Sequence, residues 1–351
     1  MKHLHIRIVG SGLIGTSFAL GAAQLGHTLE FEDSQSSARE LAQDLVQTQL
    51  SKGQPDLVVI ATPPLSAFET LHAEFAKYPE ATFIDVGSVK ANLLQEVESF
   101  SALASRFIGT HPMAGREVAG PSSAQSDLFN GRAWIVTPSR LCEHSRVELV
   151  LSLIESLGAT PYVLEAAEHD RLLARISHLP QVLSTALASS ISQLDSGLDL
   201  SGQGLRDMTR IANSDGALWS EILLANDKEV LSAIDEFASQ LEELRNEIFH
   251  RNVVAIEEIF QRGNVGRGKV SGKHGAQPRN YVYLLVVIKD EPGALRQLFD
   301  ECAHVQANIE DLSIEHSPKQ ETGLITLAFS PEDAKKVEKH LVERQWKVHI
   351  K

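Results

Sequence analysis

The sequence predicts an α/β protein built from three parts, and three observations lead to this prediction. Over residues 1–165, short β-branched runs alternate with amphipathic stretches, a pattern typical of βαβ units on a parallel sheet. Over residues 166–260, apolar side chains recur at spacings of three and four, which indicates long helices. Residues 279–351 return to a mixed pattern of strands and helices. A length of 351 residues is ample for two or three domains of roughly 150 residues each.

Composition and charge exclude several classes of function. Hydrophobic residues make up 43% and charged residues 22%, close to the average of globular proteins. The net charge of -14 argues against nucleic-acid or membrane-surface partners, since both need a basic surface. Cys142 and Cys302 form no CxxC pair, so we expect a reducing cytoplasm and no disulfide framework or cysteine metal site. No apolar run approaches the roughly 20 residues of a membrane-spanning helix.

The first part contains the strands of the predicted parallel sheet. Its strand-like runs cover residues 5–9, 28–32, 57–62, 82–86 and 134–137. A helical pattern at 143–156 then leads into a last strand at 161–164. In an open parallel sheet the carboxyl ends of the strands line the ligand crevice. We therefore expect functional side chains where these runs end.

A glycine-rich turn follows the first strand. It reads Gly10-Ser11-Gly12-Leu13-Ile14-Gly15 and opens a helix. A GxGxxG pattern between a strand and a helix, with an acid about 18 residues further on, is the fingerprint of a Rossmann-type dinucleotide-binding domain. Gly10 permits the tight turn, Gly12 lets the backbone approach a pyrophosphate, and Gly15 allows close helix–strand packing. A structural glycine turn is the alternative.

Two adjacent acids, Glu32 and Asp33, end the second strand. A carboxylate there accepts hydrogen bonds from the adenosine ribose and repels a 2′-phosphate, so NAD is favoured while NADP is not excluded. We prefer Asp33 as the ribose ligand, and Glu32 stays open. The predicted cofactor site comprises Gly10, Gly12, Leu13, Ile14, Gly15, Glu32, Asp33, Thr62 and Pro63.

Two later segments offer groups suited to proton transfer. Residues 85–90, Asp-Val-Gly-Ser-Val-Lys, place the Ser88 hydroxyl and the Lys90 ammonium at the end of a strand. His111 precedes a Pro-Met-Ala-Gly turn beside the expected nicotinamide position. An imidazole with a pKa near neutrality is suited to taking a hydroxyl proton as hydride leaves the carbinol carbon. The alternative is a structural histidine.

Two apolar stripes mark the helices of the second part. The first consists of Leu172, Ile176, Leu179, Leu183, Leu187, Ile191 and Leu194. The second consists of Leu231, Ile234, Phe237, Leu241, Leu244, Ile248 and Ile256. Such stripes pack against a partner subunit, giving a homodimer, or within an intrachain bundle, and both interpretations stay open.

The same part has polar groups that suit an anionic substrate. Ser177 and His178 stand just before Pro180. Arg206 and Arg210 are four residues apart, so on one helix they share a face and can clamp a dianion. A surface ion-pair helix that includes Asp207 is the alternative.

A linker and a compact C-terminal part complete the chain. Residues 261–278 are rich in glycine and basic side chains, with little to bury, which predicts a linker. Residues 279–351 read strand, helix, strand, strand, helix, strand, the βαββαβ order of a ferredoxin-like domain. The second strand of this domain is expected at 308–315.

Five motifs occur in order along the chain: GSGLIG, DVGSVK, THPMAGRE, SHLP and LRDMTRIANSDGALW. With them the sequence resembles the prephenate/arogenate dehydrogenases of tyrosine biosynthesis over about residues 5–260. The resemblance implies NAD-dependent oxidative decarboxylation of prephenate to 4-hydroxyphenylpyruvate, or of arogenate to tyrosine. The segment Asp290-Glu291-Pro292-Gly293-Ala294-Leu295 makes the last part similar to an ACT domain, which implies an effector such as tyrosine or phenylalanine.

The resemblance also assigns roles to single residues. His111 corresponds to the proton acceptor of the family, and Ser88 to the serine that orients this histidine and the nicotinamide. Arg210 corresponds to the arginine that binds the ring carboxylate, and Arg206 to a side chain contributed across the dimer interface. The remaining positions are Ser177, His178 and Gln181 for substrate, and Glu117 and Asp207 for the interface.

The sequence departs from the family at Gln181, where many members have a second histidine. An amide forms hydrogen bonds but cannot be charged, so the choice between prephenate and arogenate stays open. Two other functions are compatible with the fold: another β-hydroxyacid dehydrogenase, and a NAD- and amino-acid-sensing protein without activity. The intact Ser88, His111 and Arg210 argue against the second of these.

Overall fold

The computed structural model describes residues 3–46, 53–115, 120–194, 196–270, 281–316 and 322–350. The chain forms two compact units, residues 1–238 and 239–351. The first unit contains the predicted sheet and most helices of the second predicted part. No helix within the described ranges is both long and apolar enough to span a membrane.

The first unit is built on a seven-stranded sheet. Its strands are β1 (His5–Val9), β2 (Thr28–Glu32), β3 (Leu57–Ile60), β4 (Thr82–Asp85), β5 (Phe107–Pro112), β6 (Ala133–Pro138) and β7 (Thr160–Val163), in the order β2-β1-β3-β4-β5-β6-β7. The helices between them are α1 (Leu13–Gln24), α2 (Ser36–Val46), α3 (Ala67–Lys77), α4 (Ala91–Glu98), α5 (Ser101–Ala104) and α6 (His144–Ser156). Every residue of β3 and β4 is buried, as expected for strands covered on both faces.

The sheet is mixed, so the prediction of a wholly parallel sheet is wrong at its far edge. Strands β1 to β5 pair in parallel, but β6 runs antiparallel to β5. A parallel neighbour needs a crossover, usually a helix, and the described residues between β5 and β6 contain only the 3₁₀ turn Pro121–Ser123. Strand β5 is not among the strand-like runs of the sequence, because Gly109, His111 and Pro112 interrupt its apolar character.

The next five helices along the chain form most of the second predicted part. They are α7 (Ala166–Leu173), α8 (Leu179–Ile191), α9 (Gln203–Thr209), α10 (Gly216–Ala225) and α11 (Asp227–Phe249). A π-helical turn, Ala174–His178, joins α7 to α8, where Pro180 lacks the backbone donor of a regular helix. The Asp215 side chain caps α10 by accepting hydrogen bonds from the Ala217 and Leu218 N–H groups.

The two apolar stripes are only partly buried within one chain. Ala174, Val230 and Ala233 form a small core, and Leu179 and Ile234 pack against it. The stripe residues that remain exposed are Leu172, Ile176 and Leu194 in the first and Leu231, Leu241 and Ile248 in the second. A row of exposed apolar side chains of this extent is typical of a surface that another chain covers.

Helix α12 (Val253–Gly268) shows that the predicted linker at 261–278 is wrong over its first half. The helix begins after Asn252, whose side chain accepts the Ala255 N–H. Arg262 donates to both carboxylate oxygens of Glu243 in α11, at 2.7 and 2.8 Å. A glycine costs a helix about 1 kcal/mol relative to alanine, so the cap and this contact offset a low intrinsic propensity. Residues 271–278 lie outside the described residues.

The C-terminal part of the second unit has the predicted βαββαβ order. Its elements are β8 (Val282–Lys289), α13 (Ala294–His304), β9 (Asp311–His316), β10 (Thr322–Phe329), α14 (Pro331–Glu343) and β11 (Lys347–Ile350). The sheet is antiparallel with the order β11-β8-β10-β9. Leu284, Val286 and Leu327 alternate along the strands and pack against Leu298 and Val337 of the two helices. Strand β9 begins three residues later than the predicted 308, and in the segment before it the Asn308 amide donates to the Glu310 carboxylate at 3.0 Å.

Candidate functional site

The glycine turn at the end of β1 has the geometry that a dinucleotide requires. Gly10 adopts a φ of +106°, which favours glycine, and a Cβ there would collide with the backbone of Ala61. A Cβ on Gly15 would collide with the Gly10 carbonyl, so helix α1 passes close to the turn. Gly12 faces open space and leaves the start of α1 without a side-chain cap. The first N–H groups of this helix are therefore available to an anion.

The two acids at the end of β2 have different partners. Oδ2 of Asp33 accepts the Ser11 N–H at 2.6 Å, and its Oδ1 accepts the Gln35 N–H at 2.8 Å. The Asp33 carboxylate is thus fixed against the glycine turn. The Glu32 carboxylate instead accepts from Nη2 of Arg7 at 3.2 Å, in a network that also includes Glu74. This placement favours Asp33 over Glu32 as the group beside a ribose.

Unsatisfied polar atoms near the turn are consistent with a polar ligand. The hydroxyls of Ser11 and Thr62 are sealed from solvent, and neither has a hydrogen-bond partner among the described residues. Buried hydroxyls are normally paired, so these two suit a ligand with acceptor or donor atoms. Leu13 and Ile14 start helix α1, and Thr62 and Pro63 follow β3 at the same edge of the sheet. The predicted cofactor residues therefore meet at one edge, and they fit a dinucleotide.

A buried ion pair lies beneath the loop that contains Ser88. The Lys90 ammonium contacts the Asp85 carboxylate and donates to the Thr110 carbonyl at 2.8 Å. The side chains of Lys90 and Asp85 are only 1% and 2% exposed. Burial lowers the pKa of Lys90, although the Asp85 charge opposes that shift. Ser88 itself is half-buried at the carboxyl end of β4, one strand away from His111 in β5.

His111 belongs to a chain of hydrogen bonds that the sequence did not indicate. Its Nδ1 lies 2.9 Å from Nε2 of His169, and Nδ1 of His169 lies 2.7 Å from Oδ1 of Asp170. The Asp170 carboxylate also accepts the N–H groups of Lys90 and Ala91, at 2.9 and 2.8 Å. It therefore caps helix α4 of the sheet region from its position on α7. His169 and Asp170 are buried, whereas His111 is half-buried.

This chain of bonds determines which nitrogen of His111 has the proton. The Asp170 carboxylate can only accept, so Nδ1 of His169 donates to it, and a His169 ring with this single proton accepts through Nε2. His111 must then donate from Nδ1, which leaves the lone pair on its Nε2. Burial, followed by the nearby His169, Lys90 and His178, holds the pKa of His111 well below its usual value. His111 is therefore a neutral base at neutral pH.

A second histidine of the same site is held by Asn226. Nδ2 of Asn226 donates to the Asp170 carbonyl at 2.9 Å and lies 3.2 Å from Nδ1 of His178. The ring of His178 is edge-on to Trp219, with centroids 6.1 Å apart. Burial lowers the pKa of His178 to about 4, so this imidazole is also neutral.

Gln181 is engaged within the protein through both amide hydrogens. Its Nε2 donates to the Ile211 carbonyl at 2.9 Å and to the Thr185 hydroxyl at 3.2 Å. Its Oε1 lies 3.4 Å from the Ser214 hydroxyl, which donates its hydrogen to the Ile211 carbonyl at 2.6 Å. These bonds tie α8 to the segment after Arg210, and the predicted contact between Gln181 and a substrate remains a prediction.

The two arginines do not share one continuous helix, which corrects that part of the prediction. Helix α9 ends at Thr209, and Arg210 begins the 3₁₀ turn Arg210–Ala212. Arg206 donates to the Ser201 carbonyl at 3.1 Å, and Asp207 accepts from Gln203 at 2.8 Å. Ser177 is half-buried in the π-helical turn, next to His178. Glu117 lies outside the described residues.

Sequence reasoning missed His169, Asp170 and Asn226 as members of the site. His169 and Asp170 occur in a charged helix that looks like an ordinary solvated face, with Glu168 and Arg171 beside them. The available signal was the Glu168-His169-Asp170 segment, which precedes the Ser-His-Leu-Pro segment by less than two helical turns. Of the network, the sequence placed His111 and Lys90 at this edge of the sheet.

Comparisons with known proteins agree on one family. Residues 18–163 match the nucleotide-binding domain of prephenate dehydrogenase, and residues 165–262 match its dimerization domain. The protein named probable prephenate dehydrogenase NovF of Streptomyces niveus is 28% identical over 97% of this chain and 98% of its own. The prephenate dehydrogenase of Lactococcus lactis subsp. cremoris is 30% identical over 88% of this chain and 87% of its own. A crystal structure of A. aeolicus prephenate dehydrogenase with hydroxyphenyl propionate and NAD+ superimposes with a TM-score of 0.71, at 27% identity, over 77% of this chain and 99% of that chain.

Proposed function

Because the chain belongs to the prephenate dehydrogenase family, we propose that it catalyses the NAD-dependent oxidative decarboxylation of prephenate to 4-hydroxyphenylpyruvate. The observation that carries this proposal is the chain of bonds from Asp170 through His169 to His111, which supplies a neutral base. The glycine turn, Asp33 and Thr62 would hold NAD, which accepts the hydride when it is bound. The acceptor Nε2 of His111 takes the proton of the ring 4-hydroxyl.

The reaction requires the protein mainly to orient the substrate and the cofactor and to remove one proton. Hydride and CO2 leave from opposite ends of a cyclohexadiene ring, and aromatisation supplies the driving force. As His111 becomes positively charged, its Nδ1–H remains bonded to His169, which in turn is bonded to the Asp170 carboxylate. The positive charge is thus matched by a buried negative charge two groups away.

The remaining roles are part of the proposal. Ser88 orients His111 and the nicotinamide, and Arg210 binds the ring carboxylate. The Arg210 contact must hold that carboxylate without overstabilising its charge, because decarboxylation removes it. Arg206, Glu117 and Asp207 act at the interface of a homodimer. The exposed stripe residues on α7, in the π-helical turn, after α8 and on α11 support such an assembly.

Steady-state kinetics with purified protein tests the function. NADH formation is measured with prephenate and with arogenate, each with NAD and with NADP, and the product is identified by mass spectrometry. We expect the highest kcat/KM with prephenate and NAD, with 4-hydroxyphenylpyruvate and CO2 as products. Oxidation of a 3-hydroxy acid without oxidation of prephenate or arogenate would overturn the proposal.

We further propose that the C-terminal sheet is an ACT domain that binds tyrosine or phenylalanine. Its βαββαβ order supports this, and so does Gly293, which has a φ of +92° and open space around it before α13. Titration calorimetry of the full-length protein with each amino acid is the test. Absence of heat with both would favour a domain that only stabilises a dimer.

A further inference from the structure

Asn226 has a hydrogen-bonding arrangement that allows one orientation of its amide. It lies between α10 and α11 and is 5% exposed. One partner, 2.9 Å from Nδ2, is the Asp170 carbonyl, which can only accept. The nitrogen therefore faces this carbonyl, and its second hydrogen is directed to Nδ1 of His178, 3.2 Å away.

His178 is consequently fixed in one tautomer. Its Nδ1 accepts from Asn226, so its single proton is on Nε2. No described residue forms a hydrogen bond with this Nε2, and His178 as a whole is only 1% exposed. The charged and titratable groups near the ring are Asp170 and His169 of α7 and His111 of β5. His178 thus presents an N–H donor in the site that contains His111.

We propose that Asn226 is a positioning residue that makes His178 an obligatory hydrogen-bond donor, and thereby selects a 2-oxo acid side chain over an amino acid side chain. This inference rests on the proposed function. The two substrates of this family differ where a ketone oxygen is replaced by an ammonium group. The oxygen accepts the Nε2–H, whereas an ammonium group would place two donors against each other.

The substitution Asn226→Asp tests the inference, because it is nearly isosteric and replaces the group that donates to Nδ1 of His178 with one that accepts. The new carboxylate accepts from Nδ1 of His178, and at mildly alkaline pH the neutral ring then has its lone pair on Nε2. We expect the ratio of kcat/KM for prephenate to that for arogenate to fall by roughly 5- to 150-fold. The change is expected mainly in KM, since this contact is remote from the reacting bonds.

The variant also has a pH signature. As pH falls, the His178 ring paired with the new carboxylate gains a second proton and again donates from Nε2, so the preference for prephenate returns. In the wild-type protein this ratio does not depend on the ionisation of His178 over the same range, because the pKa of His178 is about 4.

Asn92→Asp, at an exposed position, is the control for the added charge and the lost backbone contact. Nδ2 of Asn92 donates to the Ala225 carbonyl at 2.7 Å, one residue before Asn226, without a bond to His178. It introduces the same charge and the same loss of a backbone contact. We expect it to leave the substrate ratio unchanged, and an equal shift in this control would overturn the inference.

A second measurement does not depend on activity or on the variant. Nitrogen-15 NMR of the wild-type imidazoles, assigned by comparison with His178→Gln, reports which nitrogen of His178 has the proton. A proton on Nε2 supports the inference, and a proton on Nδ1 overturns it. An unchanged substrate ratio in folded, NAD-binding Asn226→Asp also overturns it. If the wild-type protein oxidises neither substrate, the proposed function fails, and NMR alone decides the tautomer.

Discussion

Replacement of His169 by leucine tests how much the buried bond to His111 contributes to catalysis. Leucine fills much of the same space but cannot accept the Nδ1–H that His169 receives at 2.9 Å. In the transition state His111 becomes charged, and a hydrogen bond to a charged group is worth about 1.5–3 kcal/mol. Since 1.4 kcal/mol corresponds to a factor of ten, kcat/KM for prephenate is expected to fall roughly 10- to 150-fold.

Replacement of the same residue by glutamine separates bonding from packing. The glutamine oxygen accepts from His111 while its NH2 group donates to Asp170, so the lone pair stays on Nε2 of His111. We expect His169→Gln to keep most of the activity that His169→Leu loses. The assay is NADH formation under saturating NAD, and His144→Leu on the exposed start of α6 is the control. Near-normal turnover in folded His169→Leu, or equal losses in both variants, would refute the reasoning.

Further variants test the other parts of the site. His111→Asn should lower turnover by roughly two to four orders of magnitude and leave NAD binding, followed by fluorescence titration, intact. Because burial lowers the pKa of His111, the rate of the wild-type enzyme should be lost only as pH falls well below 6.5; an acidic limb at or above that pH in the kcat/KM profile would contradict this. Asp33→Asn should raise the KM for NAD about tenfold or more and reduce the preference over NADP, measured by kinetics with both cofactors. Lys90→Met leaves the Asp85 charge buried and unpaired, so urea unfolding should show a loss of about 3–5 kcal/mol, most of it recovered in the double variant with Asp85→Asn.

The cofactor half of the site was predictable because its signals are local in sequence. The glycine turn joins one strand to one helix, and Asp33 is bonded back to Ser11 only 22 residues away. Ser88 and His111 were predictable in a similar way. Each follows or ends a strand, and the sheet order brings the ends of β4 and β5 together. Periodicity and spacing are sufficient for such contacts.

The remainder depends on contacts between distant segments. His169 is 58 residues from His111, and Asn226 is 48 residues from His178, so no spacing rule connects them. The antiparallel direction of β6 and the helical conformation of residues 261–268 were missed for a related reason. The direction of β6 is set by its pairing with β5. The glycine-containing helix forms against its low local propensity, and the bond between Arg262 and Glu243 stabilises it.

The hydrogen bonds between Asp170 and the start of α4 affect when, during synthesis, the chain can form a working active site. During synthesis the glycine turn and the first strands leave the ribosome long before α7, and they contain what a dinucleotide needs. His111 has no defined proton position until α7 brings His169 to His111 and the Asp170 carboxylate to the N–H groups of Lys90 and Ala91. A nascent or truncated chain that ends before α7 therefore lacks a competent base, whether or not it can bind the cofactor. The Asp170 carboxylate therefore both caps α4 and belongs to the hydrogen-bond chain that fixes the proton of His111.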